Sequence, residues 1–127
     1  MITKVLLIDD DPDEYEIFSH ALEKYNSKIT CVSFNGGIES LFLINFLPDV
    51  VFLDMNMPQA DSLVWLRKIK ETQKFKDVPV YIYSTASHSY REREAFALGA
   101  LKWITKPKNI IGYVQLFQEL FPQKDSN

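Results

Sequence analysis

Three aspartates, Asp9, Asp10 and Asp11, stand side by side directly after the apolar residues 5–8. Adjacent carboxylates repel one another and repel any phosphate that approaches them. A hard divalent cation among them reverses that effect, because Mg²⁺ takes oxygen ligands in an octahedron and keeps several waters. The plainer explanation is an Asp-rich loop that caps a helix, and Asp11 is placed to do so for a helix starting near Asp13. Asp54 ends another apolar run, inside Phe52-Leu53-Asp54-Met55-Asn56-Met57-Pro58. Beside a metal, such a carboxylate can attack phosphorus and form an acyl phosphate, with the metal offsetting charge repulsion. Without one, it simply begins a turn before Pro58. Ser84 closes a further run, and Lys106 follows Thr105, where another stops. The Ser84 hydroxyl can donate to a phosphoryl oxygen or cap a helix. The Lys106 ammonium can pair with Asp54 at rest and with a phosphoryl group afterwards, or lie solvated on the surface. The bond from Lys106 to Pro107 is one that tolerates the cis form. Taken singly, the plain readings win for Asp54, Ser84 and Lys106 and are evenly matched for Asp9 and Asp10; joint placement at successive strand ends favours the chemistry.

These residues need a scaffold that brings them together. Short apolar runs at 5–8, 29–34, 50–53, 80–83 and 101–104, rich in Val, Ile and aromatics, read as strands buried on both faces. Helical spacing fills the gaps at 13–25, 38–46, 62–70, 87–98 and 109–121. The fourth of these helices ends at Gly99, a residue suited to a helix C-terminus. Five strands alternating with five helices predict a doubly wound parallel α/β sheet covered on two faces, with right-handed crossovers. In open sheets of this kind, sites form beyond the carboxyl ends of the strands. That is where Asp9, Asp10, Asp54, Ser84 and Lys106 fall.

The 127 residues make one ordinary domain, expected to span 1–122 and be followed by a polar tail at 123–127. Hydrophobic residues are 46% and charged residues 24%, a globular mix that folds without staples. The formal net charge of −3 argues against nucleic acid as a ligand. The single cysteine, Cys31, lies within an apolar run, where a buried inert thiol is expected, and no Cys/His cluster offers a zinc site. No apolar run reaches membrane-spanning length, and the acidic cluster at Asp9 leaves no room for a secretory leader, so a cytoplasmic location is expected.

Over nearly its whole length the chain resembles the receiver domains of two-component response regulators, of the single-domain, chemotaxis-receiver type. Val5-Leu6-Leu7-Ile8-Asp9-Asp10-Asp11-Pro12 is similar to that family's first strand and acidic pair, and Phe52 to Pro58 to its phosphorylation strand and loop. Ser84 and Lys106-Pro107 match its switch hydroxyl and Lys-Pro, at intervals of thirty and then twenty-two residues, and Trp103 falls at its aromatic switch position. The resemblance implies a flavodoxin-like strand order 2-1-3-4-5. It implies Asp54 as phosphoacceptor, and Mg²⁺ (Mn²⁺ in its place) held by Asp10, Asp54 and the backbone carbonyl of Asn56, with Asp9 acting through a water. The chain departs from the family pattern at Ser62, where a glycine is usual, and at Thr85, where a small residue is usual.

The implied function is a signalling phosphoacceptor rather than an enzyme acting on other substrates. It would take its phosphoryl group from a histidine kinase, a phosphotransfer protein or a small phosphodonor. It would then signal by binding a target through the surface of the fourth helix, fifth strand and fifth helix. With no output domain expected after the last helix, the chain reads as stand-alone. That helix carries more apolar residues than one buried stripe uses, so it either forms a partner or homodimer face or sinks deep into the core. A phosphorylation-independent docking scaffold is the alternative. A haloacid-dehalogenase-type phosphotransferase would need an acid where Asn56 stands. A flavodoxin-like carrier would need a phosphate loop where the three aspartates stand.

Overall fold

A computed structural model describes residues 2–57, 60–85 and 89–123. The element order is β1 (Lys4–Ile8), α1 (Pro12–Tyr25), β2 (Thr30–Phe34), α2 (Ile38–Leu41), β3 (Val50–Asp54), α3 (Ser62–Glu71), β4 (Val80–Ser84), α4 (Ser89–Ala97), β5 (Lys102–Thr105) and α5 (Ile110–Leu120). The five strands form one sheet in the order β2-β1-β3-β4-β5, every pair parallel. This is the predicted topology. The expected helix start at Ser87 and the turn residue Pro58 lie outside the described residues, as do residues 124–127 of the expected tail.

Side-chain alternation along the strands divides the core into two layers. Leu6, Ile8, Val51, Leu53, Val80 and Ile82 face α2, α3 and α4, together with Leu66, Ile69 and Phe75. Val5, Leu7, Val50, Phe52, Tyr81, Tyr83 and Ile104 face α1 and α5, together with Phe18, Tyr113 and Phe117. The second layer is aromatic: Phe18 meets Phe52, Tyr113 and Phe117 edge-on, with ring centroids 5.0–5.8 Å apart. Only β3 and β4 are buried throughout. The expectation of strands buried on both faces fails for β2 and β5, which lie at the two edges of the sheet and stay partly exposed.

Local chemistry sets the helix ends that matter to the site. Asp11 caps α1, its side chain accepting from Asp13 N at 2.9 Å, and Pro12 starts the helix where a missing N–H does no harm. Asp61 caps α3, accepting from Leu63 N at 3.0 Å, and Ser62 is the first residue of that helix. Gly99 ends α4 with φ +109, the left-handed region that disfavours a side chain. Ala100 N there donates to Ala95 O at 2.9 Å.

Helix α2 departs most from expectation. It stops at Leu41 rather than running to residue 46. Beyond it the chain turns loosely, with Leu43 N donating to Ser40 O at 3.1 Å and the Lys74 ammonium donating to the Ile44 carbonyl. Pro48 disfavours helix at the residue before it, and in the turn beyond Leu41 Phe42 packs on Phe75 while Leu43 is 84% exposed. The apolar surplus on α5 resolves toward the core. Tyr113, Phe117 and Phe121 are buried, and Ile110, Val114, Leu116 and Leu120 pack partly against them, while Ile111 remains exposed. No helix among the described residues is long and apolar enough to cross a membrane.

Candidate functional site

The carboxyl ends of β1, β3 and β4 and the start of the segment after β5 converge. Asp54 is the last residue of β3, pairs in register with Tyr83, and is 2% exposed. Its Oδ1 lies 2.9 Å from Lys106 Nζ and accepts from Asn56 N at 2.9 Å. Lys106 is carried to this position by β5, and its own N–H donates to Ser84 O at 2.7 Å. No peptide bond among the described residues is cis, so the Lys106–Pro107 bond is trans.

Asp9, one residue past β1, is also 2% exposed. Its Oδ1 accepts from Asp11 N at 2.9 Å, and its Oδ2 accepts from the Tyr83 hydroxyl. Burial pushes the Asp9 carboxyl above its ordinary range, and neighbouring Asp54 adds to this, against the pull of Tyr83, Asp11 and Lys106. Burial works against the charged form of Lys106, yet the Asp54 hydrogen bond and the charges of Asp54, Asp9 and Glu14 outweigh it and carry the ammonium upward. Lys106 is therefore a fixed cation at neutral pH.

Carboxylate oxygens of Asp9, Asp10 and Asp54 all lie within 4.8 Å of one another. An octahedral hard cation bonded at about 2.1 Å spans nearly that distance, so modest side-chain movement would let these oxygens surround one. The donor set is all oxygen, and Lys106 balances only one of three negative charges. Both features fit a hard divalent ion. Asp10 is the exposed member of the cluster. It lines an open hollow of about 400 Å³ that Phe34, Gly36, Met57 and Trp65 also border.

The sequence-predicted residues are thus brought together, with different orientations. Asp9, Asp54 and Lys106 meet on the α1/α5 side of the sheet, where Tyr83 also points. Ser84 is fully buried and stands one residue beyond Tyr83, so alternation turns it to the opposite side. It is the last residue of β4, and α4 is first described at Ser89. Trp103 pairs with Ile82 in register and packs partly buried against the layer facing α3 and α4. Its Nε1 is buried without a hydrogen-bond partner among the described residues. Asn56 is tied across to β4, its Oδ1 accepting from Thr85 N at 2.9 Å. The hydroxyl of Ser62, buried at the start of α3, donates to Asp54 O at 2.5 Å and ties that helix to the end of β3.

Three residues around the site were not singled out from the sequence. Glu14, on α1, places Oε1 3.5 Å from Lys106 Nζ and accepts a hydrogen bond from the Tyr113 hydroxyl on α5. Tyr83 donates to Asp9 and presents its ring 4.7 Å from Lys106 Nζ. The available signal was period-two alternation in β4, which puts residue 83 on the side of Asp54.

Residues 5–116 match the family described as response regulator receiver domain. A protein-glutamate methylesterase/protein-glutamine glutaminase of Rhodospirillum rubrum is 39% identical over 113 residues, 87% of this chain and 30% of that protein. The chain spans about a third to under half the length of the curated relatives it matches first, 30%, 31% and 45%. Among solved structures, the phosphorylated cyanobacterial phytochrome response regulator RcpA shares the fold with a TM-score of 0.80 at 21% identity, covering 100% of both chains. The Mn²⁺-bound response regulator Rcp1 does so with a TM-score of 0.79 at 18% identity, over 98% of this chain and 97% of that one.

Proposed function

Because this chain belongs to the receiver-domain family of response regulators, we propose that it accepts a phosphoryl group on Asp54 and signals by changing what binds it. The observation that carries this reading is the Lys106 ammonium 2.9 Å from Asp54 Oδ1, in the same pocket as three clustered carboxylates. An exposed ion pair would say little; this one is buried, beside an excess of negative charge that calls for a cation.

Among the described residues the Lys106 and Asn56 contacts to Asp54 both fall on Oδ1, which leaves Oδ2 as the oxygen offered for attack on phosphorus. The new O–P bond forms as the donor's P–O or P–N bond breaks, and the donor keeps the electron pair. Asp9, Asp10, Asp54 and the backbone carbonyl of Asn56 would hold Mg²⁺, with Mn²⁺ able to replace it. Bound there, the ion supplies neutralisation of the phosphoryl charge. Lys106 keeps its positive charge throughout and passes from Asp54 to the phosphoryl oxygens. Ser84 then donates its hydroxyl to the same group, and the movement frees space for Trp103. The unpaired indole N–H supports this role for Trp103, since a buried donor without a partner costs about 1–3 kcal/mol and favours rearrangement.

The phosphodonor is a histidine kinase, a phosphotransfer protein or a small acyl phosphate, and the readout is a protein target on the surface of α4, β5 and α5. That surface exposes Phe96 and Leu101 beside Trp103 and Leu116 around a shallow groove. Nucleic acid and membrane are not the partners proposed; the chemistry is self-phosphorylation in the cytoplasm, within a receiver unit at 1–122. The test is incubation with acetyl phosphate and Mg²⁺, followed by intact mass. One phosphoryl group should be added, removable by hydroxylamine and absent after chelation or in Asp54→Asn. Full phosphorylation of Asp54→Asn would sink the assignment to Asp54, and a wild type that takes no phosphoryl group would leave the docking-scaffold alternative.

A further inference from the structure

We infer that Tyr83 is a positioning residue for the metal-binding carboxylate, acting through Asp9; this rests on the phosphoacceptor reading above. β4 is Val80-Tyr81-Ile82-Tyr83-Ser84, and packing alone does not explain a tyrosine at its fourth position. Tyr83 is 1% exposed, with its ring against Phe18 and Phe52, where a phenylalanine would fit as well. What the hydroxyl adds is a bond to Asp9 Oδ2. A buried phenol must find a partner, and a buried carboxylate must have its oxygens satisfied. Here each solves the other's need.

The result is a carboxylate fixed at both oxygens. Oδ1 accepts from Asp11 N at the head of α1, and Oδ2 accepts from β4. Turning the Asp9 carboxylate away from Asp10 and Asp54 would break one of these bonds. The same ring lies 4.7 Å from Lys106 Nζ, so one side chain touches the acid on the cation side and the ammonium on the phosphoryl side. Groups that orient a metal's carboxylates in this way typically change its affinity about 10–100-fold when removed. They leave the chemical step nearly alone when the metal saturates.

Calorimetric titration of the unphosphorylated protein with Mg²⁺ tests this directly. Tyr83→Phe keeps the ring and removes only the hydroxyl, and should weaken Mg²⁺ binding about tenfold. Its phosphorylation rate at saturating Mg²⁺ should stay within about threefold of wild type, a binding effect rather than a loss of chemistry. Tyr81→Phe removes a hydroxyl two residues earlier on the same side and should bind Mg²⁺ as wild type does. Asp9→Asn with Tyr83→Phe should bind no more weakly than Asp9→Asn alone. A measurement that leaves Tyr83 in place serves should Tyr83→Phe not fold: Mg²⁺ should give a near-ultraviolet tyrosine difference spectrum in wild type that Asp9→Asn loses. Wild-type Mg²⁺ affinity in Tyr83→Phe, additive losses in the double variant, or an unchanged difference spectrum in Asp9→Asn would each overturn the inference while leaving Asp54 phosphorylation intact. Failure of wild type to bind Mg²⁺ would bring down both.

Discussion

Lys106 has two anionic neighbours on different elements, Asp54 at the end of β3 and Glu14 in the first turn of α1. Its side chain is 9% exposed, so its charge is shared inside the protein rather than with water. Lys106→Met would leave Asp9 and Asp54 buried with no cation between them. Breaking one partner of a buried pair typically costs about 3–5 kcal/mol. Urea unfolding without metal should show a loss of that order, and Mg²⁺ should recover part of it. The group of residues that the sequence revealed here shares one trait: each is a charged or hydroxyl group at or just past the end of an apolar run. Asp9, Asp54, Ser84 and Lys106 could be picked out because that break is local. Glu14, Tyr83 and Tyr113 could not, because a glutamate in a first helical turn and tyrosines among apolar residues have ordinary explanations. Only the fold brings Glu14 to Lys106 across ninety-two positions of chain.

Elements were legible where their pattern was strong and local. All five strands and four of the helices lie within a few residues of the expected bounds, since apolar runs and helical spacing are both short-range signals. Helix α2 was not, because its apolar residues are placed by what they must reach, Phe42 on Phe75 for example, rather than by helical period. The strand β5 carries the prediction at this scale. Trp65 borders the same hollow as Asp10 and packs on Phe34, so its emission should report metal binding. In a Trp65→Phe background the remaining emission comes from Trp103. A beryllofluoride mimic of phosphorylation should shift it, and Ser84→Ala should blunt that shift while Asp54 is still phosphorylated. A full shift in Ser84→Ala would show that the hydroxyl on β4 does not move β5.

For the molecule as a whole, the acidic pocket sets a pH dependence. The folded-state pKa of Asp9 is raised by burial, so the folded protein holds this proton more tightly than the unfolded chain does. The associated stability is therefore full below the unfolded value of 3.8 and is lost as pH rises through the higher folded value. Asp49 acts in the opposite sense. Burial works against its charge, but hydrogen bonds from Thr3 and Lys4 outweigh that and lower its pKa, so its contribution is lost as pH falls. Metal-free protein should accordingly melt lower as pH rises from 3.8 through the raised folded value of Asp9, and Asp9→Asn should flatten that slope. Saturating Mg²⁺ should raise the melting temperature most at neutral pH, by binding linkage. A slope unchanged in Asp9→Asn would assign it to another group.

The opposite orientation of Tyr83 and Ser84 has a consequence for how the protein can vary. Even and odd positions of β4 belong to different circuits, one serving the pocket and one serving the outer helices. Substitution at 80 or 82 edits the second without rewiring the first. Loss or gain of a single residue within the strand exchanges the two, sending the phenol of Tyr83 away from the pocket. Natural drift through point changes is therefore open to this strand, whereas insertions and deletions are confined to the loops that bound it.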